Sequence, residues 1–251
     1  MNEAEKKKTT EKIFKKICRK TGVILRDHDM VKEGDHILIG LSGGKDSMIL
    51  AEAMAERKRA LPFDFKVSAA HIDITNVGYK SDQKELESFC KALDIDFIYK
   101  SSEIEIDEES KKAVCFTCSW NRRKMLFHLA RELGCNKLAL GHHRYDAVET
   151  MLMNMIYHGS ISSIPYKLSM FDGELILIRP LLDLDENLLE EYAKLRSYGF
   201  EKAECPYESK NKRDKVRKLI KEIEKLHGKG TYNIFHSMDK IFEEYLPGKK
   251  H

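Results

Sequence analysis

Ser42-Gly43-Gly44-Lys45-Asp46-Ser47 gathers the residue types that hold a phosphate group. The stretch lies where an apolar run, Ile37-Leu38-Ile39-Gly40-Leu41, gives way to a helix starting near Asp46. Two successive glycines let the main chain approach an anion with no Cβ in the way, and the first helical turn adds unpaired N–H donors and the positive end of its dipole. Lys45 adds a point charge and Ser42 and Ser47 add hydroxyls. Asp46, which bare phosphate repels, fits a Mg2+ that bridges it to the ligand. The common phosphate loop spaces its two glycines widely ahead of Lys-Ser/Thr, so this is a different loop. It reads as a nucleotide site; the plain alternative is a glycine turn that lets a helix pack on its strand.

A second group is Cys115-Phe116-Thr117-Cys118, two thiols at metal-ligand spacing on a predicted loop that runs into a helix N-terminus, where thiolates are favoured. Cys205, in Glu204-Cys205-Pro206-Tyr207, offers a third sulfur on another loop. Cys18, Cys90 and Cys135 fall in or beside apolar helical patterns and read as core. Three thiolates leave one iron of a cubane cluster open to an outside ligand such as sulfide. A zinc completed by His142 or His143, or simply buried thiols, are the competing readings.

The third group, Gly141-His142-His143-Arg144-Tyr145-Asp146, follows a short strand and opens a helix, so it lies on the same predicted sheet edge as the glycine loop. His142 can donate to a phosphate, and Asp146 in the first helical turn can hold Mg2+ or orient the reacting group. Gly141, together with Asp73 at the end of the second strand, joins the nucleotide-binding set. Arg122 and Arg123 are assigned to charge on phosphates, with Lys124 beside them in the same role.

These groups need a frame, and the chain supplies a repeating strand–helix rhythm. Predicted strands cover residues 37–41, 65–73, 95–99 and 137–140, and predicted helices cover 46–60, 81–93, 118–133 and 145–158. In the last helix Ala147, Val148, Met151, Leu152, Met155 and Ile156 make one apolar stripe, read as core. Residues 101–112 are acidic and read as a mobile loop. Asp172-Gly173 marks a hairpin between 166–171 and 174–178, and Asp185 is the expected cap of a helix over 186–197. Repeated βα units predict an open, mostly parallel, doubly wound sheet that binds ligands beyond the carboxyl ends of its strands. A basic N-terminal helical extension (1–30), a nucleotide domain (31–183) and a helical C-terminal segment carrying Cys205 (184–251) are the expected divisions.

The 251 residues carry a net charge of only +3, but lysine and arginine concentrate near both ends, at residues 6–20 and 210–221. Each stretch is either a solvated helix face or a grip on nucleic-acid phosphate. No apolar run approaches the roughly 20 residues that span a bilayer, and Met1-Asn2-Glu3-Ala4-Glu5 lacks a signal-peptide core. A cytoplasmic protein with no membrane partner is expected, and six cysteines there point away from structural disulfides.

SGGKDS at 42–47 resembles the pyrophosphate loop of the ATP pyrophosphatases, which split ATP between its α and β phosphates. Taken with Cys115 and Cys118 followed by Arg122-Arg123, GHHR with Asp146 and Glu149-Thr150, Asn154, Ile178-Arg179-Pro180-Leu181, Cys205 and Asn233-Ile234-Phe235, most of the chain resembles the tRNA 2-thiocytidine synthetases. The resemblance implies an adenine nucleotide alpha hydrolase-like, Rossmann-like fold. It implies ATP at 42–47 with Mg2+, and a [4Fe-4S] cluster on Cys115, Cys118 and Cys205 with an open fourth iron. It also implies a tRNA substrate, a sulfide or persulfide donor such as a cysteine desulfurase, and a homodimer. Tyr145 departs from the family, whose members usually show paired acids after GHHR. The segment around Cys205 reads closer to thiolases of other tRNA positions. Rival readings are a sulfurtransferase acting on a small molecule, a non-catalytic ATP-binding or iron-sensing protein, and a lysidine-type ligase, which leaves the three cysteines unexplained.

Overall fold

The computed structural model describes residues 2–77, 82–104, 114–198 and 212–247, the side chains of 115 and 116 aside. The described residues form α1 (Glu3–Asp27), β1 (His36–Gly40), α2 (Lys45–Ala60), β2 (Lys66–Ile74), α3 (Gln83–Ala92) and β3 (Asp96–Ser102). There follow α4 (Val114–Glu132), β4 (Lys137–Ala139), α5 (Arg144–His158), β5 (Lys167–Met170), β6 (Leu175–Ile178), α6 (Glu186–Arg196), α7 (Lys212–Leu226) and α8 (Gly230–Ser237). They divide into two compact units. The first is Met1–His143 with Pro165–Ser209, and the second is Arg144–Ile164 with Lys210–His251.

In the first unit the strands make one sheet in the order β3-β2-β1-β4-β6-β5, parallel except for β5 against β6. Ile37, Leu38 and Ile39 of β1 are fully buried, as a central parallel strand covered on both faces requires. Strand order reverses between β1 and β4, and an open α/β sheet has its binding crevice beyond the strand ends at such a point. One face of the sheet carries the cluster that holds Ile17, Ile24, Ile49, Met54 and Leu189, where α1, α2 and α6 pack on one another. The other face is covered by Leu126, Leu129 and Ala130 of α4. At the opposite end from the crevice, Asp35 accepts from Lys137 Nζ, from Asn136 Nδ2 at 2.8 Å and from Lys32 N at 2.6 Å, which ties the starts of β1 and β4 together.

Local chemistry explains the helix starts. Asn2 and Glu5 form a reciprocal capping box at α1, and Asp82 and Asp185 accept from first-turn amides of α3 and α6. The β5–β6 hairpin turns through Phe171, Asp172 and Gly173, all at positive φ. Two expectations change. Helix α4 starts at Val114, so the two cysteine positions 115 and 118 lie inside it and not on a loop; no proline or glycine between 113 and 118 stops the helix. In α5, Ala147, Val148 and Met151 are buried, but Met155 and Ile156 are exposed, so the stripe is core only in its first half.

The second unit packs α5, α7 and α8 on one another. Glu149, nearly fully buried, is held by Arg213 at 3.2 Å and Arg217 at 2.7 Å. The Tyr145 hydroxyl donates to the Arg217 carbonyl at 3.1 Å.

Within the first unit Glu52 of α2 is buried and accepts from Tyr192 Oη, Tyr198 Oη and Arg196 Nη2, each at 2.8 Å, so one carboxylate fastens α2 to α6. Glu52→Ala removes the acceptor shared by three donors, leaving both tyrosine hydroxyls without it while Arg196 Nη2 keeps Tyr198 Oη at 2.7 Å. It is expected to cost about 2–4 kcal/mol, read from the urea midpoint at unchanged m-value.

Candidate nucleotide site

β1 leads into the glycine loop through a doubly fixed root. Leu41 N donates to Ala70 O at 2.8 Å, and the Leu41 carbonyl accepts from His71 Nδ1 at 2.8 Å. His71 is buried, which holds its pKa below the ordinary value, so the ring is neutral with the proton on Nδ1. It stacks on Tyr99, whose hydroxyl donates to Asp73 at 2.8 Å. Burial and the neighbouring Asp73 carboxylate push the Tyr99 phenol up to about 12.

The loop then turns at Gly43, φ +85°, and enters α2 with Gly44 as N-cap. Gly44 has no side chain to cap the first turn, so its amides face the crevice as a ready anion cradle. The two serines brace the loop. Ser47 Oγ accepts from Ser42 N at 3.1 Å and donates to Gly44 O at 2.8 Å, while Gly44 N donates to Ser42 Oγ at 3.3 Å. Lys45 Nζ meets the Asp46 carboxylate at 2.9 and 3.0 Å.

Gly141, leaving β4, closes on this turn. A Cβ there would stand 3.0 Å from the Asp46 carbonyl carbon and oxygen and 3.1 Å from Ser47 N. That approach carries His143, which is buried, to 3.8 Å between its Nε2 and Asp46 Oδ2. Glu186, the first residue of α6, faces the same charges. Burial raises its pKa, opposed by His143 and Lys45 and reinforced by Asp46. The sequence reading missed Glu186, because next to the cap Asp185 it reads as an ordinary first-turn acid.

The remaining predicted residues are placed as follows. Arg122 of α4 is half-buried and close enough to lower the pKa of His71. Arg123 and Lys124 are exposed and line a groove between α4 and the β5–β6 hairpin. His142 is half-buried in the first unit, and Asp146 lies in the first turn of α5, in the second. Cys118 is buried in α4, the Cys115 side chain and Cys205 lie outside the described residues, and among the described residues no three His, Cys, Asp or Glu gather as a metal site. Cys18, Cys90 and Cys135 are buried as expected, and burial pushes their thiols up to about 12, 12 and 11. Among the described residues, no helix is long and apolar enough to cross a membrane.

The donor chemistry fits the expected groups. A glycine-lined helix start with a lysine suits a polyphosphate, and cysteine is a residue type that suits soft-metal ligation.

An uncapped, glycine-led helix start at the point where a parallel sheet reverses its strand order defines a nucleotide-binding α/β protein. The chain belongs to the PP-loop domain family, whose pattern matches residues 6–223. It is 33% identical over 240 residues to the tRNA-cytidine(32) 2-sulfurtransferase of Burkholderia cenocepacia, covering 94% of this chain and 72% of that protein. A protein of the same name from Paraburkholderia phytofirmans is 33% identical over 244 residues, 95% of this chain and 72% of that one. The solved structure of U34-tRNA thiolase NcsA from Methanococcus maripaludis with its [4Fe-4S] cluster aligns at TM-score 0.76 and 26% identity. That alignment covers 95% of this chain and 81% of NcsA. These relatives bear out the likeness to tRNA thiolases read from the motifs, and with it the open, mostly parallel fold.

Gly141→Ala forces the β4 exit off the α2 turn. The expected outcome is a loss of about 1–3 kcal/mol in stability and a much reduced thermal shift on adding ATP. Glu186 gives a pH test. A carboxyl whose pKa is raised on folding contributes stability fully below its ordinary value of 4.5, and that contribution is lost as pH rises through the folded value. Glu186→Gln should therefore flatten the fall in thermal midpoint from pH 4.5 upward, the variant gaining on the natural protein towards neutrality.

Proposed function

We propose that this protein is an ATP-dependent tRNA sulfurtransferase that replaces the C2 oxygen of a pyrimidine, cytidine of the anticodon loop, by sulfur. The observation that supports it most is the open amino end of α2 behind Gly43 and Gly44, in a chain so similar over its length to proteins named for that reaction. The C2 carbonyl oxygen attacks the α phosphorus of ATP, an O–P bond forms as the bond to the β phosphate breaks, and pyrophosphate leaves into the 42–47 loop. Sulfide then adds to C2, and AMP departs with the former carbonyl oxygen.

Each residue has a part in this scheme. The amides of Gly43, Lys45 and Asp46 and the Lys45 ammonium take the charge of the departing pyrophosphate, as preorganised donors. His143 orients Asp46, which would hold a Mg2+ that shields phosphate charge. His142 and Arg122 are assigned to the phosphate charge of the nucleotide, Asp73 to the nucleotide, and Asp146 to orienting the reacting group, while Arg123 and Lys124, in the groove beside α4, are left to phosphates of the substrate. Cys115, Cys118 and Cys205 would hold an iron-sulfur cluster, which when bound would offer an open site for sulfide. The base must be splayed from a single-stranded loop to be reached. A sulfide or persulfide donor, a homodimer and a cytoplasmic location complete the reading. The higher identity to cytidine-modifying relatives, 33% against 26% for the U34 thiolase, favours cytidine.

With reconstituted cluster, ATP, sulfide and bulk tRNA, nucleoside analysis should show 2-thiocytidine. Cys205→Ala should abolish it while ATP still binds, and Lys45→Ala should slow pyrophosphate release about 10²–10³-fold. A thiolated uridine would move the reading to another tRNA position. Pyrophosphate release independent of tRNA, with no thiolated nucleoside, would defeat it.

A further inference from the structure

A groove of about 830 Å³ runs between α4 and the β5–β6 hairpin, apart from the glycine loop. Its cationic lining is Arg123, Lys124, Arg131 and Arg179, with His128 beside them, against the single acid Glu174. Its aromatic lining is unusually open: Trp120 is 56% exposed and Phe171 53% exposed. Phe171 sits at φ +53°, a conformation that a bulky residue rarely adopts, and Asp172 and Gly173 follow it at positive φ. The edge-on contact with Phe127, ring centres 5.5 Å apart, props this ring in the groove wall.

Arg179 is the buried anchor. It is 94% buried, lines the groove, and gives Nη1 to the Pro165 carbonyl at 2.6 Å, while its buried Nε has no partner among the described residues. Burial, and then the like charge of Arg123, lower its pKa to about 10.

We propose that this groove binds a single-stranded segment of RNA, its phosphates on Arg123, Arg131 and Arg179 and its bases stacked on Trp120 and Phe171. Charge and ring faces together are what an unpaired strand recognises. A second copy of the chain fits poorly, because a two-fold contact would set one cationic groove against another. The proposal rests on the tRNA reading above and names where that substrate extends beyond the reacting base.

Trp120 is the chain's one tryptophan, so intrinsic fluorescence reports on this groove directly. Titrating a seven-nucleotide unstructured RNA into the full-length protein should give saturable quenching that weakens with added salt. Phe171→Ala should reduce affinity about tenfold and Trp120→Ala, followed by filter binding, by a similar factor, with Trp120→Phe restoring most of it. Arg131→Ala should lower the salt slope by about one phosphate contact.

Quenching by inorganic phosphate alone, equal to that by RNA, would overturn the proposal in favour of a simple anion site. Quenching that grows with protein concentration without RNA, together with a doubled sedimenting mass, would overturn it in favour of a self-interface. If tRNA is thiolated while Trp120 stays unquenched and both alanine variants bind normally, the groove fails and the function stands. Quenching with no thiolation of any tRNA supports the groove and sinks the function instead.

Discussion

The candidate site depends on one close approach, the backbone of Gly141 lying against the carbonyl of Asp46 and the amide of Ser47. Two strands that neighbour each other at the reversal of the sheet thereby deliver their exits to the same point. The first brings a helix start with no side-chain cap, the second a pair of histidines. His71 fixes the other side of the junction by holding the Leu41 carbonyl. A polyphosphate arriving there meets donors already fixed in place, which is the condition under which electrostatic stabilisation costs little reorganisation.

Much of the architecture was legible because local chemistry and tertiary structure agree. The apolar run before SGGKDS became the central strand, Asp185 became a cap and Asp172-Gly173 a hairpin turn. What escaped the sequence was set by long-range packing. Nothing in the neighbourhood of Glu186 says that α6 will carry it to Lys45 and His143. The serines of the loop look like ligand donors in sequence, yet in the structure they brace each other. The sequence pattern places the cysteine pair on a loop, whereas α4 already includes Val114 and carries both positions.

The basic segments also read differently once packed. Arg213 and Arg217 are engaged by buried Glu149, so the C-terminal helix presents fewer loose cations than its composition suggests. Tyr145 gives its hydroxyl to the same helix, so it serves packing within the second unit. The groove beside α4 shows the opposite case. Arg123, Lys124 and Arg131 share α4, but Arg179 comes from beyond the hairpin, so only the fold adds it to them.

The buried thiols at 18, 90 and 135 have a further consequence. Sulfur must lose its proton to ligate iron or attack a persulfide, and at neutral pH these three stay protonated. Half of the chain's six cysteines are thereby kept chemically silent. Mis-metallation and stray mixed disulfides are discouraged by dielectric alone, with no shielding partner needed.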